Sequence, residues 1–230
     1  LVTKKFVLFG TDKSLPDGRI IATKGEAGFQ AKTLAPGIYF GFWPWQYEIT
    51  LENFTVIPQG KIGLISAKDG LVPSNGAILG RNVDSDNFQD AEKFLNNNGN
   101  KGRQSTVLVS GSYRINKFLF DVSITDQITI NDNAVGIVTT LDGMPLSEGQ
   151  IAADTATGHN KFQDFNLFLE NKGQRGLQQE VILAGTYNIN PWAVIIEEVK
   201  MTEIPIGFVG VVVSYVGEDG ADLTGLDFKH

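Results

Sequence analysis

The chain has 230 residues, no cysteine, two histidines and a formal net charge of −7 at pH 7. Without cysteine there is no disulfide or thiol chemistry within these residues, and two histidines are too few for a multi-histidine metal site or a Ser-His-Asp triad. The 19 lysines and arginines are scattered through an acidic chain, so we expect no nucleic-acid partner.

The first part of the chain, residues 1–23, is interpreted as a leader segment, because the repeats described below begin after it. The chain starts with Leu1 rather than Met, so we expect a processed chain or an excised part of a longer protein. No stretch approaches the roughly 20 consecutive apolar residues that cross a bilayer, so we expect any membrane anchor to lie outside this chain.

A turn followed by a tyrosine occurs three times at a spacing of 74 residues, in residues 28–39, 102–113 and 176–187. Pro36-Gly37 has the residues of a type II turn, whose third position needs a positive φ. We therefore expect that conformation at three glycines and equivalent packing positions for three tyrosines, which are Gly37, Gly111 and Gly185, and Tyr39, Tyr113 and Tyr187.

The first copy continues into an aromatic cluster, in which six of the nine residues 39–47 are Phe, Trp or Tyr. Its candidate contact residues are Phe42, Trp43 and Trp45. One interpretation is a membrane contact, because Trp and Tyr favour the headgroup layer. We favour packing at the end of the array or against another subunit, since no basic residues surround the cluster to attract anionic lipid.

A second turn follows each tyrosine. Pro58-Gln59-Gly60 indicates a type I turn closed by a left-handed residue, and the same position holds Asn133 in the second copy and Gly207 in the third. Apolar β-branched residues recur with a period of two around these turns, so we expect a hairpin in each copy.

Two short amphipathic helices are predicted between the repeats, over residues 87–95 and 161–169. Gly99 and Gly173 are expected to end them. The apolar faces of these helices should form the joints between modules through four phenylalanines, which are Phe88, Phe94, Phe162 and Phe168.

Polar residues near these helices have structural interpretations. Asp86 is placed to cap the first helix, and this is favoured over a calcium site made from Asp84, Asp86 and Asp90, because the EF-hand spacing is missing. His159 lies in the loop before the second helix, where we expect it to be an exposed polar residue.

The repeats predict a mainly β protein, a tandem array of three small antiparallel β-modules with short connecting α-helices. The modules are predicted to span residues 24–98, 99–172 and 173–230, and the third is cut short before its helix.

Several motifs together resemble a known family. They are Leu-Ala-Pro-Gly-Ile-Tyr at residues 34–39, Ile-Pro-x-Gly-x-x-Gly at residues 57–63, and Gly-x-Tyr-x-Ile-Asn at residues 111–116 and 185–190. They resemble the β-rich repeats that precede the main domain in large bacterial members of the stomatin, prohibitin and flotillin superfamily (SPFH, or band-seven). The resemblance runs from about Lys4 to the end, and it extends to the repeats in the wall of the major vault protein.

This resemblance implies a scaffold, because proteins of the superfamily assemble into large rings or cages, usually on membranes, and organise other membrane proteins. We therefore expect a non-catalytic segment without a cofactor, self-association through the full-length protein, and membrane association through a segment outside this chain. The alternative is a ligand-binding or adhesion array, in which loops 71–86 and 144–160 recognise carbohydrate or peptide.

Overall fold

The structure is a computed structural model that describes residues 1–8, 15–16, 18–73 and 76–213. It is mainly β, as predicted, and consists of several small sheets. The strands are β1 (Val2–Lys4), β2 (Ile21–Ala22), β3 (Gly28–Gln30), β4 (Tyr47–Ile49), β5 (Thr55–Ile57), β6 (Lys61–Ala67), β7 (Gly102–Leu108), β8 (Gly111–Tyr113), β9 (Phe120–Asp126), β10 (Ile128–Ile130), β11 (Ala134–Thr140), β12 (Gly176–Ile182), β13 (Gly185–Tyr187) and β14 (Val194–Lys200). The helices are α1 (Ala91–Asn96) and α2 (Phe165–Glu170).

The sheets define three units, which we number along the chain. Unit 1 (residues 1–50) has a sheet of order β2-β3-β1-β4. Unit 2 (residues 55–126) has a three-stranded sheet β7-β6-β9 and a small sheet β5-β8, and unit 3 (residues 128–200) has the corresponding sheets β12-β11-β14 and β10-β13. Residues 201–213, called the tail below, follow unit 3.

The predicted module boundaries pass through these sheets. The central strand β6 lies before residue 99, but both of its partners, β7 and β9, follow that position. The central strand β11 is separated from β12 and β14 in the same way. The leader segment contains β1, which is the central strand of unit 1 because it pairs with β3 and β4. Each folded unit therefore begins at its central strand or just before it, about half a repeat away from the predicted start.

The second turn has the predicted backbone, but it does not close a hairpin. Gly60, Asn133 and Gly207 have φ values of 78°, 61° and 90°, as a left-handed closing residue requires. However, β5 pairs with β8 and not with β6, so the hairpin prediction is wrong. The turn instead moves the chain from one sheet to the next, because the side chain of Ile57 folds over Gly63 and fills the space that a Cβ would need there.

The glycines two residues before the tyrosines have a different role from the one predicted. Gly37 and Gly111 do not have a positive φ, and only Gly185, at 148°, falls in that range. The ring of Tyr113 lies over Gly111, where an added Cβ would be 3.3 Å from the ring, and Tyr187 covers Gly185 at 3.1 Å. A side chain at position 111 or 185 would therefore press on the tyrosine ring, which would have to shift.

Valine at position 111 is expected to lower the free energy of unfolding by roughly 1 kcal/mol, the usual net value of one hydrogen bond. The added side chain displaces the Tyr113 ring, whose hydroxyl donates to the C=O of Val109 at 3.1 Å. Urea unfolding of G111V, Y113F and the double variant measures this. If G111V costs as much in the Y113F background as alone, the displaced hydrogen bond is not the cause.

The two helices are shorter than predicted, because a left-handed turn precedes each of them. Asp86, Asn87 and Phe88 have φ values of 52°, 51° and 62°, and residues 160–162 repeat this conformation. The prediction that Asp86 caps α1 is therefore wrong. Asp90 is the cap, since its carboxylate accepts the N–H of Lys93 at 2.9 Å, and Asp164 caps α2 in the same way.

The helix ends differ slightly from the prediction as well. The left-handed residue after α1 is Asn98, with a φ of 61°, and the N–H of the following Gly99 donates to the C=O of Phe94 at 2.9 Å. A Cβ on Gly99 would overlap the Phe94 ring, and Gly173 has the same relation to Phe168. These glycines make room for a phenylalanine ring.

His159 is buried, so the prediction of an exposed residue is wrong. Only 3% of it is exposed, and its ring lies 4.3 Å from that of Phe162. Its Nδ1 accepts the N–H of Phe162 at 2.9 Å, which places the proton on Nε2, 2.9 Å from the C=O of Ala156. In unit 2 the hydroxyl of Ser85 accepts the N–H of Phe88, so His159 is a structural residue of the left-handed turn.

The predicted phenylalanines form two equivalent cores. Phe88 and Phe94 pack with Phe120 in unit 2, and Phe162 and Phe168 lie in the core of unit 3. All of them are almost completely buried. Each core also contains a residue from the preceding unit, which brings the phenylalanines to the joints described next.

Candidate functional site: the joints between units

Each joint is held by an aspartate that follows a central strand. One carboxylate oxygen of Asp69 accepts the N–H groups of residues 20 and 21 in unit 1, both at 2.8 Å. The corresponding oxygen of Asp142 accepts those of residues 78 and 79 in unit 2, at 2.9 and 3.0 Å. The same carboxylate therefore binds the same backbone segment at both joints.

These carboxylates are buried charges whose lone pairs are satisfied. Asp69 is 1% exposed and Asp142 is 5% exposed. The second oxygen of each accepts the N–H of the following glycine, and Arg19 adds an ion pair of 3.2 Å to Asp69. A buried carboxylate is tolerated only with such partners, so both aspartates depend on the unit before them.

An asparagine at each joint binds the preceding unit through its C=O groups. The side-chain amide of Asn116 donates to residues 30 and 31 at 3.0 and 2.9 Å. The amide of Asn190 donates to residues 104 and 105 at 2.9 and 3.1 Å. Both asparagines are buried, and the carboxylate and the amide together bind two segments of the neighbouring backbone.

Aromatic and apolar contacts complete each joint. Phe118 stacks on Phe29 of unit 1 with ring centroids 4.2 Å apart, and the ring of Trp192 lies 5.1 Å from the guanidinium of Arg103 in unit 2. Ile21 of unit 1 lies in the core of unit 2, and its counterpart in unit 2 lies in the core of unit 3. Each core is thus completed by the unit before it.

The first joint also has an exposed ion pair. Lys117 in unit 2 lies 2.6 Å from Glu52, in the segment that connects it to unit 1. The hydrogen bond and then the charge of Lys117 hold the pKa of Glu52 below its ordinary value. Exposed pairs contribute little to stability, so the buried carboxylate and amide are the main polar contacts of this joint.

Unit 1 has different residues at the joint positions. The C=O of Trp43 accepts the N–H groups of residues 46 and 47, and the C=O groups of Asn116 and Asn190 make the same two bonds. Trp43 therefore takes the place of the joint asparagine, and Trp45 takes the place of the aromatic residue two positions later. The register of β1 places Phe6 where units 2 and 3 have the joint aspartate.

The aromatic cluster predicted as a contact is consequently located at the free end of unit 1. Trp43 and Trp45 are 58% and 53% exposed, whereas Phe42 is half-buried and its ring is edge-on to Tyr47. The expectation that no basic residues surround the cluster is wrong, because β1 brings two lysines to it. Lys4 lies 5.9 Å from the Tyr47 ring, and Lys5 donates to the C=O of Pro44.

The three predicted tyrosines are equivalent in two units only. The hydroxyls of Tyr113 and Tyr187 donate to the C=O groups of Val109 and Leu183, at 3.1 and 3.0 Å. Tyr39 has its ring near Gly37 and edge-on to Phe42, and 44% of it is exposed. Unit 1 thus departs from the other units here as well.

Within the described residues, no group of three or more histidine, aspartate or glutamate side chains is arranged to bind a metal. Asp84 and Asp90 have other partners, since Asp84 lies 2.6 Å from Lys93 and Asp90 caps α1. The bond to Lys93 holds the pKa of Asp84 below its ordinary value. Among all the residues that the structure describes, no helix has the length and apolar character of a membrane span.

Comparison with known proteins finds no relative. No protein-family description matches the chain, and no curated protein or solved structure is detectably similar to it.

Proposed function

We propose that this chain is a non-catalytic structural segment of a membrane-associated oligomeric scaffold, of the stomatin, prohibitin and flotillin type. The observation that carries the proposal is the repeated joint. A flexible linker between units would leave their relative orientation free, but here two buried polar side chains and one apolar residue fix it at each joint. A fixed orientation is what the wall of a ring or cage needs.

One of the two loops that an adhesion array would use is engaged in the structure. Residues 78 and 79, in loop 71–86, are bound by Asp142, and Leu79 is buried in the core of unit 3. In loop 144–160 His159 is buried, whereas Ile151 is exposed. The alternative function, recognition of carbohydrate or peptide by these loops, is therefore the weaker one.

Lateral association needs an exposed surface beside the joints, and the outer face of β14 provides one, formed by Ile195, Glu197 and Val199. Ile195 and Val199 are exposed and alternate with the buried Val194 and the core-facing Ile196. At the same register of β9, unit 2 has the polar residues Asp121 and Thr125. We infer that the outer face of β14 contacts a neighbouring subunit.

The double variant Ile195→Asp, Val199→Thr is expected to reduce the mass of the assembly while the chain stays folded, because it introduces the residues of unit 2. The protein is recovered with the membrane fraction, extracted in mild detergent and measured by light scattering. Ser123→Ala, on the corresponding face of unit 2, is the control and should leave the mass unchanged. A small monomer that does not sediment with membranes would contradict the scaffold.

Trp43→Asn is expected to lower the mass of the same assembly, because the exposed indole is removed and asparagine is the residue of units 2 and 3 at this position. Binding to vesicles of phosphatidylcholine and phosphatidylserine, measured by flotation, should not change. Loss of vesicle binding without a change in mass would instead assign the aromatic cluster to lipid.

A further inference from the structure

We propose that the free end of unit 3 is a docking surface for a fourth β-unit, whose central strand is the tail itself. The tail aligns with the strand, turn and central strand that open units 2 and 3, so Phe208–Val213 corresponds to the first six residues of β6 and β11. This inference concerns the end of the array and does not depend on lateral association through β14.

The tail already has the local structure of a central strand and its turn. Gly207 has a φ of 90°, and the N–H of Phe208 donates to the C=O of Pro205 at 3.1 Å, as in the turns before β6 and β11. The side chain of Ile204 folds over Gly210, where an added Cβ would be 2.6 Å from it. The same overlap occurs between Ile57 and Gly63, so the turn forms without a sheet around it.

Within the described residues, the tail has no partner strands. Val209, Val211 and Val212 are 89%, 87% and 93% exposed, whereas Ile62 and Ile65 of β6 are completely buried. A run of apolar β-branched residues with both edges free is a template for strand pairing. Flanking strands would cover these side chains as β7 and β9 cover those of β6.

The end of unit 3 presents the backbone segments that the joints bind. Residues 151 and 152 correspond to 20–21 and 78–79. The evidence is a parallel β-bridge that occurs in both units, between Gly80 and Gln104 in unit 2 and between Ala153 and Gln178 in unit 3. Within the described residues, no side chain accepts the N–H groups of 151 and 152, and Ile151 is exposed. Leu177, also exposed, takes the position of Phe29 and Arg103, the partners of the joint aromatic residues.

These positions define the chemistry of the partner. It needs an acceptor for the two N–H groups, a buried side-chain amide for the C=O groups of residues 178 and 179, and an aromatic ring for Leu177. At the position of Asp69 and Asp142, the sequence that continues the tail has Val216, so the acceptor is not a carboxylate at that position. Ala152 replaces the larger Ile21 and Leu79 as the residue that enters the partner core, so the core of this partner has a smaller opening than those of units 2 and 3.

A second copy of this chain does not meet these requirements. The binding faces of its units 2 and 3 are already filled by units 1 and 2, through Asp69 and Asp142. Its unit 1 has a free face, but Phe6 and Trp43 replace the aspartate and the asparagine there. Unit 1 therefore does not offer the side chains that the end of unit 3 needs.

The test keeps residues 1–213 and replaces residues 214–230 by a second copy of residues 67–126, joined directly to Val213. The graft restores the order of unit 2 and supplies the carboxylate, amide and aromatic ring from copies of Asp69, Asn116 and Phe118. We expect the amides of Ile151 and Ala152 to exchange with deuterium at least about tenfold more slowly than in the unmodified chain, and the product to be monomeric.

Ala152→Asp is the matched control, because it places a carboxylate next to the grafted copy of Asp69, and the two negative charges repel each other. Ala152 is partly exposed, so the variant should leave the unmodified chain folded. In the grafted chain it should abolish the slow exchange while the graft keeps its own β structure. A folded graft with fast exchange at residues 151 and 152, or a graft that stays unfolded, overturns the proposal. Slow exchange in the unmodified chain together with dimer formation overturns it in favour of a second copy.

Discussion

Replacing Asp142 by alanine is expected to lower the free energy of unfolding by about 3 kcal/mol or more, since each unsatisfied buried N–H costs roughly 1–3 kcal/mol. The carboxylate accepts three backbone N–H groups, from residues 78, 79 and 143. Alanine leaves these donors without an acceptor, and a methyl group is too small to fill the site.

The joint should also lose its cooperativity. In a tandem array the interface between neighbours couples their unfolding, so a weakened interface allows the units to open separately. Urea unfolding followed by circular dichroism measures the total loss. Deuterium exchange at the amides of Ile78 and Leu79 measures the local one, and we expect protection to fall more there than in β6.

Two variants make the measurement specific. Asp132→Ala removes an exposed carboxylate from the turn before β11 and should change stability by no more than about 0.5 kcal/mol. Asp142→Asn keeps an acceptor oxygen for unit 2 and should lose less than alanine. If Asp142→Ala is as stable as the Asp132 control, the carboxylate does not hold the joint, and the structural argument for a rigid array fails.

Local features of the fold could be predicted from the sequence because they depend on adjacent residues. Asn133 has the left-handed conformation that its place in the turn indicates, and Phe94 is buried on the helix as the periodicity indicates. The spacing of the repeats likewise corresponds to the spacing of the units, since β6 and β11 begin 73 residues apart.

Features that depend on contacts across the fold were assigned incorrectly. The hairpin was inferred from a turn, but Ile57 packs over Gly63 and directs β5 to another sheet. The positive φ at Gly111 was inferred from Gly, but the glycine is there because the Tyr113 ring covers it. In both cases the cause was the side chain of a residue that is not adjacent in the sequence.

The joints have a signal in the sequence, but it can be interpreted only when the strand order of the sheets is known. Asp-Gly occurs at residues 69–70 and 142–143, at the end of two apolar strands. The role of these aspartates in the joints becomes clear only when those strands are known to be central, because the ends of the central strands meet the preceding unit. The exchange of Asn116 and Asn190 for Trp43 was visible in the alignment of the repeats, but it was interpreted as part of an aromatic cluster.

The second large effect is expected at the core of unit 2, where Phe94→Ala should destabilise the chain by about 3–5 kcal/mol. Phe94 is fully buried, and its ring lies 5.0 Å from that of Phe120 and 6.0 Å from that of Phe88. Ile21 of unit 1 belongs to the same core, so we expect the first joint to weaken with it. Urea unfolding measures the loss, and Phe54→Ala, at an exposed phenylalanine, is the control.

Gly99 makes this prediction more specific, because a Cβ at that position overlaps the Phe94 ring. Gly99→Ala alone should therefore be destabilising by roughly 1–3 kcal/mol, the usual cost of overpacking. In the Phe94→Ala background the overlap disappears, and the same substitution should be nearly neutral, which gives a coupling energy of similar size in a double-mutant cycle. Additive effects would mean that the glycine is required by its backbone, as the sequence alone suggested, and not by the ring that packs on it.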